Sequence, residues 1–402
     1  MTRRCLLFFC GVLGVVVAGS ALAAPRTVPD SRIFLQRHEL KYKAQKVSER
    51  YYRSAVYQTR LAFDTWLDPR VRWDKAFQKL TLLSAHTRSG KGGKLVVPPE
   101  AINTVTPFHM DRIPLGTTLR ETVYSFIGAK KGTRSELSWR RDDVGTRPWP
   151  FEASFPLLMA RPVTKLEFSI GMGLRAGVVH PLKKCRSTRL PAGGLSIQCD
   201  SMPGLGLGDL MQRRGGPINS VNRLLPRLVV SSFPGFKELG KALTSRQYLL
   251  TSKTVGMIPA SQREKIVNAL SADETIRACL SLVHESIRTL AVPRVPVALE
   301  YLLKYRAGTA LERALFLSAL LNYHVKNGRA RVVHLSADGD IAPDVPALIQ
   351  FPIPLVLWDN GSRTVAIDAG GKLIYAWPSA FAGSWYFDPA SPAAPKKIRL
   401  GE

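Results

Sequence analysis

The chain has 402 residues, of which 45% are hydrophobic and 22% charged. That composition is globular rather than disordered, and the length suffices for two domains of ordinary size. The formal charge of +27 favours contact with anionic surfaces such as lipid headgroups, nucleic acid or acidic polysaccharide. Lys and Arg are nevertheless spread along the chain, and no zinc-finger, RNA-binding or helix-turn-helix signature accompanies them.

The first residues carry a self-contained signal. Arg3 and Arg4 precede an unbroken apolar run from Cys5 to Ala18, followed by Gly19, Ser20 and Ala21-Leu22-Ala23. These are the n-region, h-region and small-residue cleavage site of a signal peptide over residues 1–23. The run is short for a membrane span of about 20 residues, so cleavage is expected rather than an uncleaved anchor. Cys10 lacks the small preceding residues of a lipidated cysteine. Arg3-Arg4 followed by Leu6-Leu7 fits general export and twin-arginine export alike. No later segment is long and apolar enough to span a bilayer, so no transmembrane segment is expected after signal cleavage. The expected location is periplasmic or secreted, where nucleic acid is rarely met. An envelope protein, a peptide or an anionic polysaccharide is the expected partner.

Removal of the signal leaves Cys185, Cys199 and Cys279. Cys185 and Cys199 flank Pro191-Ala192-Gly193-Gly194, a turn that can fold two short strands onto each other. In an oxidising compartment they are natural disulfide partners, the alternative being two unpaired buried thiols. Cys279 is then the odd one out.

From Ile33 to about Val179 the apolar runs are short or alternating, as in Arg37-His38-Glu39-Leu40-Lys41-Tyr42, Lys79-Leu80-Thr81-Leu82-Leu83 and Thr164-Lys165-Leu166-Glu167-Phe168-Ser169-Ile170. Turn clusters such as Ser89-Gly90-Lys91-Gly92-Gly93 and Asp142-Asp143-Val144-Gly145 separate them. This pattern predicts an all-β sandwich over residues 25–200. A Gly-rich linker over 201–220 comes next, and residues 221–402 form a second domain of different periodicity. There, Gln262 to Leu290 is helical in pattern, with Ser271 as N-cap and Asp273 and Glu274 in the first turn. A second helix runs from Ala310 to about Lys326 with Ala314, Leu317, Leu320 and Leu321 in its apolar stripe, and Gly328 is placed to end it. Strands are predicted at Arg331–Leu335, Pro354–Trp358 and Thr364–Asp368, the last two joined by the turn Asp359-Asn360-Gly361. The fold class expected is thus β plus α/β multidomain: an all-β sandwich, then an α+β domain.

The sequence Arg306-Ala307-Gly308-Thr309-Ala310-Leu311-Glu312-Arg313-Ala314, running into a Leu-rich helix and then into those strands, resembles bacterial two-domain proteins in which a β-sandwich domain precedes a transglutaminase-like domain of papain-like fold. In that family the helix opens Arg-x-Gly-Asp-Cys-Lys-Asp-Lys-Ala. The resemblance implies a cysteine at the helix N-terminus, a histidine on one strand and an aspartate on the next. A helix N-terminus lowers a thiol pKa, the histidine takes the proton, and the aspartate fixes its tautomer. Arg306, Gly308 and Ala314 match the family frame. Ala310 stands at the nucleophile position, Ile353 at the base position, and only Asp368 of the three is retained. The resemblance therefore implies a transglutaminase-like protein without a catalytic centre, and an enzyme is not the expected outcome. The other reading is an active hydrolase or acyltransferase with a non-standard catalytic group.

No other residue restores the chemistry. Cys279 and His284 share one helix at a spacing that points them apart, while His324 and His334 read as structural or solvent-exposed. No metal-ligand spacing occurs, and no metal or other cofactor is implied. Two aromatic groups remain: Trp139 and Trp149 beside Arg140, and Trp377 and Trp385 near the C-terminus. Each is compatible with core packing and with a binding surface.

Overall fold

A computed structural model describes residues 29–88, 93–107, 118–191, 193–205, 225–247, 258, 260–290, 302, 304–336, 340–391 and 394–399. The segments expected to be a signal peptide and most of the expected Gly-rich linker lie outside the described residues. So do the Ser89–Gly92 part of one turn and the Pro293 to Pro296 loop. The chain is mixed and multidomain: β-sheet dominates its first half, and the longer helices belong to the second.

One eight-stranded sheet organises the first half. Its order is Cys185–Arg189, Leu195–Met202, Val163–Ile170, Ser31–Lys43, Lys46–Tyr57, Arg134–Asp143, Gln78–Arg88 and Lys94–Val96. The long hairpin Ser31–Lys43 with Lys46–Tyr57 is its centre, and Val163–Ile170 adds to it in parallel, Leu40 opposite Ile170. Alternation sends Leu40, Leu166, Phe168, Ile197 and Cys199 into a core shared with a three-stranded sheet of Arg175–Val179, Arg227–Ser231 and Glu152–Pro156. A second three-stranded sheet, Arg70–Asp74, Leu119–Tyr124 and Ile102–Val105, covers Ala85, Leu137 and Trp139. A short helix α1 (Arg60–Trp66) is capped by Thr59, whose hydroxyl accepts from the Ala62 N–H.

Arg227–Ser231, beyond the boundary expected near residue 221, is the middle strand of a sheet whose other strands precede residue 200. Its Val229 packs with Val179 against Ala342, Val345 and Ala347, so this strand joins the β-rich half to the helix-containing half.

The second half contains α2 (Phe236–Gln247), α3 (Ala260–Val267), α4 (Ala272–Ser286) and α5 (Ala310–His324). The helical pattern expected from Gln262 to Leu290 is broken between α3 and α4. Ser271 restarts it as N-cap, accepting from the Glu274 N–H at 3.2 Å. The sheet runs Leu373–Ala376, Thr364–Asp368, Ile353–Asp359, Arg329–Leu335, Trp385–Phe387 and Lys396–Lys397, antiparallel throughout. Leu317, Leu320 and Leu321 of α5 share a core with Val332, Val356, Trp358 and Ile367 on one face of this sheet. Val333, Leu335, Ile353, Leu355 and Ala366 form a separate core on the other.

Gly328 does not cap α5. The helix ends at His324, with the Val325 N–H donating to the Leu321 carbonyl. Gly328 is required for space instead, because a Cβ there would collide with Trp358 Nε1.

Candidate functional site

The resemblance directs attention to the start of α5. The chain reaches it through a short parallel pair, Arg288 opposite Ala307 and Thr289 opposite Gly308. A Cβ at Gly308 would collide with Leu302 Cδ1, which explains the glycine. Thr309 is the N-cap, and the wholly buried Glu312 side chain accepts from its backbone N–H. Ala310 is therefore the first helical residue, half-buried. Its position is the one at which a helix terminus would stabilise an anion, and its methyl group cannot ionise.

Three residues later in α5, Arg313 is 2% exposed. Its Nη1 donates to Thr289 Oγ1, while Nε and Nη2 have no hydrogen-bond partner among the described residues. Burial lowers its pKa and the charge of Asp368 acts to raise it. Asp368 ends its strand and its Oδ1 accepts from the Gly370 N–H at 2.8 Å. A Cβ at Gly371 would approach Asp368 Oδ2 to 2.6 Å. The carboxylate thus shapes the turn after its strand and faces a guanidinium's field, and among the described residues no imidazole hydrogen-bonds to it.

Ile353 opens the strand that pairs with the one bearing Asp368. It belongs to the core with Val333, Leu335 and Leu355, on the sheet face opposite α5. Asp368 thus acts electrostatically on Arg313 of α5, while Ile353 packs in the core on the other face of the sheet. Its neighbours along the chain, Phe351, Pro352 and Pro354, carry no basic side chain, and Leu335 stands opposite it on the paired strand.

Cys279 is fully buried in α4, and desolvation pushes its thiol up to about 12. His284 is exposed. The pKa of His324 is lowered by burial and by Arg263. His334 is buried on its strand, opposite Pro354. Histidine–carboxylate contacts do occur in the β-rich half, His38 with Glu49 at 3.3 Å and His86 with Glu136 at 3.6 Å. Among the described residues neither imidazole is hydrogen-bonded to a hydroxyl or thiol. Within the same set no group of three or more His, Cys, Asp or Glu is placed to hold a metal ion, and no helix is long and apolar enough to cross a membrane.

The aromatic candidates separate. Trp139 is buried, stacked on Tyr51 at 5.1 Å, whereas its neighbour Arg140 points outward to pair with Asp142 at 2.7 Å. Trp149 is packed on Phe233 and donates to Glu152 Oε1, whose other oxygen accepts from the Ile349 N–H. This links the two halves of the chain. Trp377 packs edge-on to Tyr386, and Lys397 lies over the Trp385 ring. Sequence reasoning did not single out Gln36, His38, Glu49 and Arg53, four buried polar residues on two neighbouring strands. Polar residues at alternate positions, Gln36 and His38 on one strand and Glu49 and Arg53 on the next, interrupt an otherwise apolar inward pattern.

No family profile and no curated protein matches the chain. Among solved structures, a Parabacteroides distasonis protein provisionally named a protease superposes with a TM-score of 0.75 at 16% identity, over 92% of this chain and 72% of that one. The two share a fold. Legionella pneumophila aminopeptidase A, solved with aspartic acid, aligns over 52% of this chain and 22% of its own at 11% identity. Its TM-score of 0.25 is too low to indicate a common fold.

Proposed function

We propose that this chain is an exported, non-catalytic transglutaminase-like protein that binds a protein, peptide or acidic glycan of the cell envelope. The single observation that carries the reading is Ala310 at the first position of α5, where the resemblance calls for a thiolate. Three further features support it. Cys279, the free cysteine among the described residues, is buried with its thiol pushed up to about 12. At the strand start itself Phe351, Pro352, Ile353 and Pro354 carry no basic side chain. The Cys185–Cys199 disulfide suits an oxidising compartment. The likeness to a provisional protease supports a protease-like scaffold and no more, because a fold does not fix a function.

The test uses the chain from Ala24 onward. Fluorogenic peptides and an amine-donor transfer assay should give no turnover above buffer, and a thiol-directed active-site probe should not label the native protein. Immobilised sulfated polysaccharide should retain the protein and release it as ionic strength rises, while neutral dextran should not. Turnover that persists in Cys279→Ala and vanishes in Asp368→Asn would overturn the reading in favour of a hydrolase or acyltransferase with a non-standard group.

A further inference from the structure

The inner face of the eight-stranded sheet carries a registered block of side chains unlike a sandwich core. Three strands contribute, and their cross-strand rows are Gln36–Arg53–Leu137, His38–Tyr51–Trp139 and Leu40–Glu49–Arg141. Residues that alternate onto an inward face are ordinarily apolar. Here Gln36, His38, Glu49 and Arg53 are all at least nine-tenths buried. Together with Pro69, Arg70, Val71, Arg72 and Glu121 they line an open cavity of about 640 Å³. That volume is in the range of small-molecule sites, roughly 300–1,000 Å³.

Every arginine of the cavity but one has a carboxylate partner. Arg70 and Arg72 share the Glu121 carboxylate at 2.9 and 2.8 Å, and Arg141 pairs with Glu49. His38 Nδ1 lies 3.3 Å from the same Glu49, and its Nε2 is 3.1 Å from Gln36 Nε2. Arg53 has no carboxylate partner among the described residues, and its Nε and Nη2 are buried without a hydrogen-bond partner among them. Its charged neighbour is a second guanidinium. Arg161, stacked over Trp66 at 4.9 Å, likewise has an unpartnered Nη1. Burial first, and Arg53 second, lower the Arg161 pKa to about 10.

Taking one guanidinium out of water without a counter-charge costs several kcal/mol, and placing a second beside it adds repulsion. Elsewhere in the same cavity every arginine has a carboxylate partner, Arg70 and Arg72 sharing Glu121 and Arg141 holding Glu49. We infer that Arg53, backed by Arg161, forms the recognition point of a binding site for a small organic oxyanion, a carboxylate, sulfate or phosphate on a saccharide-sized body. Arg53 lines the cavity, and a guanidinium is the group whose planar donors take an oxyanion in bidentate fashion. Tyr51, Leu137 and Trp139 line the cavity beside it and give the body of the ligand apolar surface. The site uses none of the residues at the start of α5, so it goes beyond the proposed function and does not depend on it.

The experiment compares thermal shift and calorimetric titration of the full mature chain with inorganic phosphate, sulfate, glucuronate and glucose, at ionic strength matched with chloride. At least one of the oxyanions should raise Tm and bind, with neutral glucose and chloride inert. A response to glucuronate alone would identify a carboxylate ligand; a response to phosphate or sulfate would identify that group. Arg53→Met should weaken binding at least about tenfold without lowering the Tm of the unliganded protein, because the guanidinium it removes is uncompensated. Arg53→Lys, which keeps charge but not the fork, should bind with intermediate affinity, and Arg140→Gln on the outer face should bind as the wild type does. The inference is overturned if no oxyanion acts beyond matched chloride, if Arg53→Met binds as well as wild type, or if Arg53→Met destabilises the unliganded chain as the loss of a paired arginine would.

Discussion

Cys185 and Cys199 face each other directly across an antiparallel strand pair, Cα atoms 4.0 Å apart, and are joined by a disulfide. The two ends of this bond live in different environments. Cys199 is fully buried in the main β core, while the strand Cys185–Arg189 is largely exposed at the edge of the sheet. The bond therefore fastens an edge strand that buries little apolar surface of its own. With a sequence separation of 14 between the cysteines, loop closure is worth about 3 kcal/mol in the chain-entropy model. The double variant Cys185→Ser/Cys199→Ser should lose about that much in denaturant unfolding. Intact mass under denaturing conditions should rise by two hydrogens on reduction; an unchanged mass would show that the bond does not form.

The Glu49–Arg141 pair predicts a specific acid response. Burial alone would raise the Glu49 carboxyl, but Arg141 and His38 outweigh it and bring it from 4.5 down to about 2. A carboxyl whose pKa is depressed by folding contributes its stability in full above the unfolded value and loses it as pH falls through the folded one. The loss should therefore run from about pH 4.5 to about pH 2. Glu49→Gln leaves Arg141 without its carboxylate and should cost about 3 kcal/mol at pH 7, with a difference from wild type that shrinks toward pH 3. Urea midpoints taken at pH 7, 5, 4 and 3 would show this convergence; a constant difference would exclude Glu49 as the titrating group.

Local chemistry was legible in the sequence where short-range rules decide. Ser271 capping α4, Ala310 opening α5, the strand Thr364–Asp368 and the Asn360 turn all follow from caps, periodicity and turn residues. Long-range pairing was not legible. Nothing in Arg227–Ser231 says that it lies between Glu152–Pro156 and Arg175–Val179, because strand partners are chosen by the tertiary core and not by local pattern. Gly328 shows the same limit on a smaller scale, since a glycine just after a helix suggests a cap and only the packing of Trp358 gives the actual reason. At the candidate site the sequence located Ala310 and Asp368 on the elements that carry them, but it could not show that Ile353 faces the core opposite α5. That depends on which inward face each strand presents, and one residue of register reverses it. The block around Arg53 was legible only in part: Gln36, His38, Glu49 and Arg53 share one hairpin, but Leu137, Trp139 and Arg141 join their rows from a strand far away in sequence.

Cys279 offers a kinetic probe of the helical core. Its thiol is wholly buried and desolvation pushes it up to about 12, and only the thiolate alkylates readily. Iodoacetamide at pH 8 should leave the native protein unlabelled over hours and modify it at once in denaturant. Because Cys279 is packed with Leu280, Val283, Ala314 and Leu317, its labelling rate should track opening of the α4–α5 core and accelerate as urea approaches the unfolding midpoint. Fast native labelling would place the thiol at the surface.

Gly328 and Trp358 supply the strictest test of the packing. A methyl at position 328 would collide with Nε1 and stand 2.5 Å from Cε2 and 2.7 Å from Cζ2 of an indole that is 1% exposed. The ring cannot retreat without displacing its neighbours in the core beneath α5, so Gly328→Ala should cost about 1–3 kcal/mol by overpacking. The backbone at Gly328 is not left-handed, so conformational strain does not contribute and the whole effect should trace to the indole. Trp358→Phe removes the atoms nearest the new methyl at the cost of a cavity. In the Trp358→Phe background, Gly328→Ala should therefore be much less costly, giving a coupling of at least about 1 kcal/mol in a double-mutant cycle. Equal cost in both backgrounds would mean that the glycine serves the loop after α5 and not the close approach of Trp358.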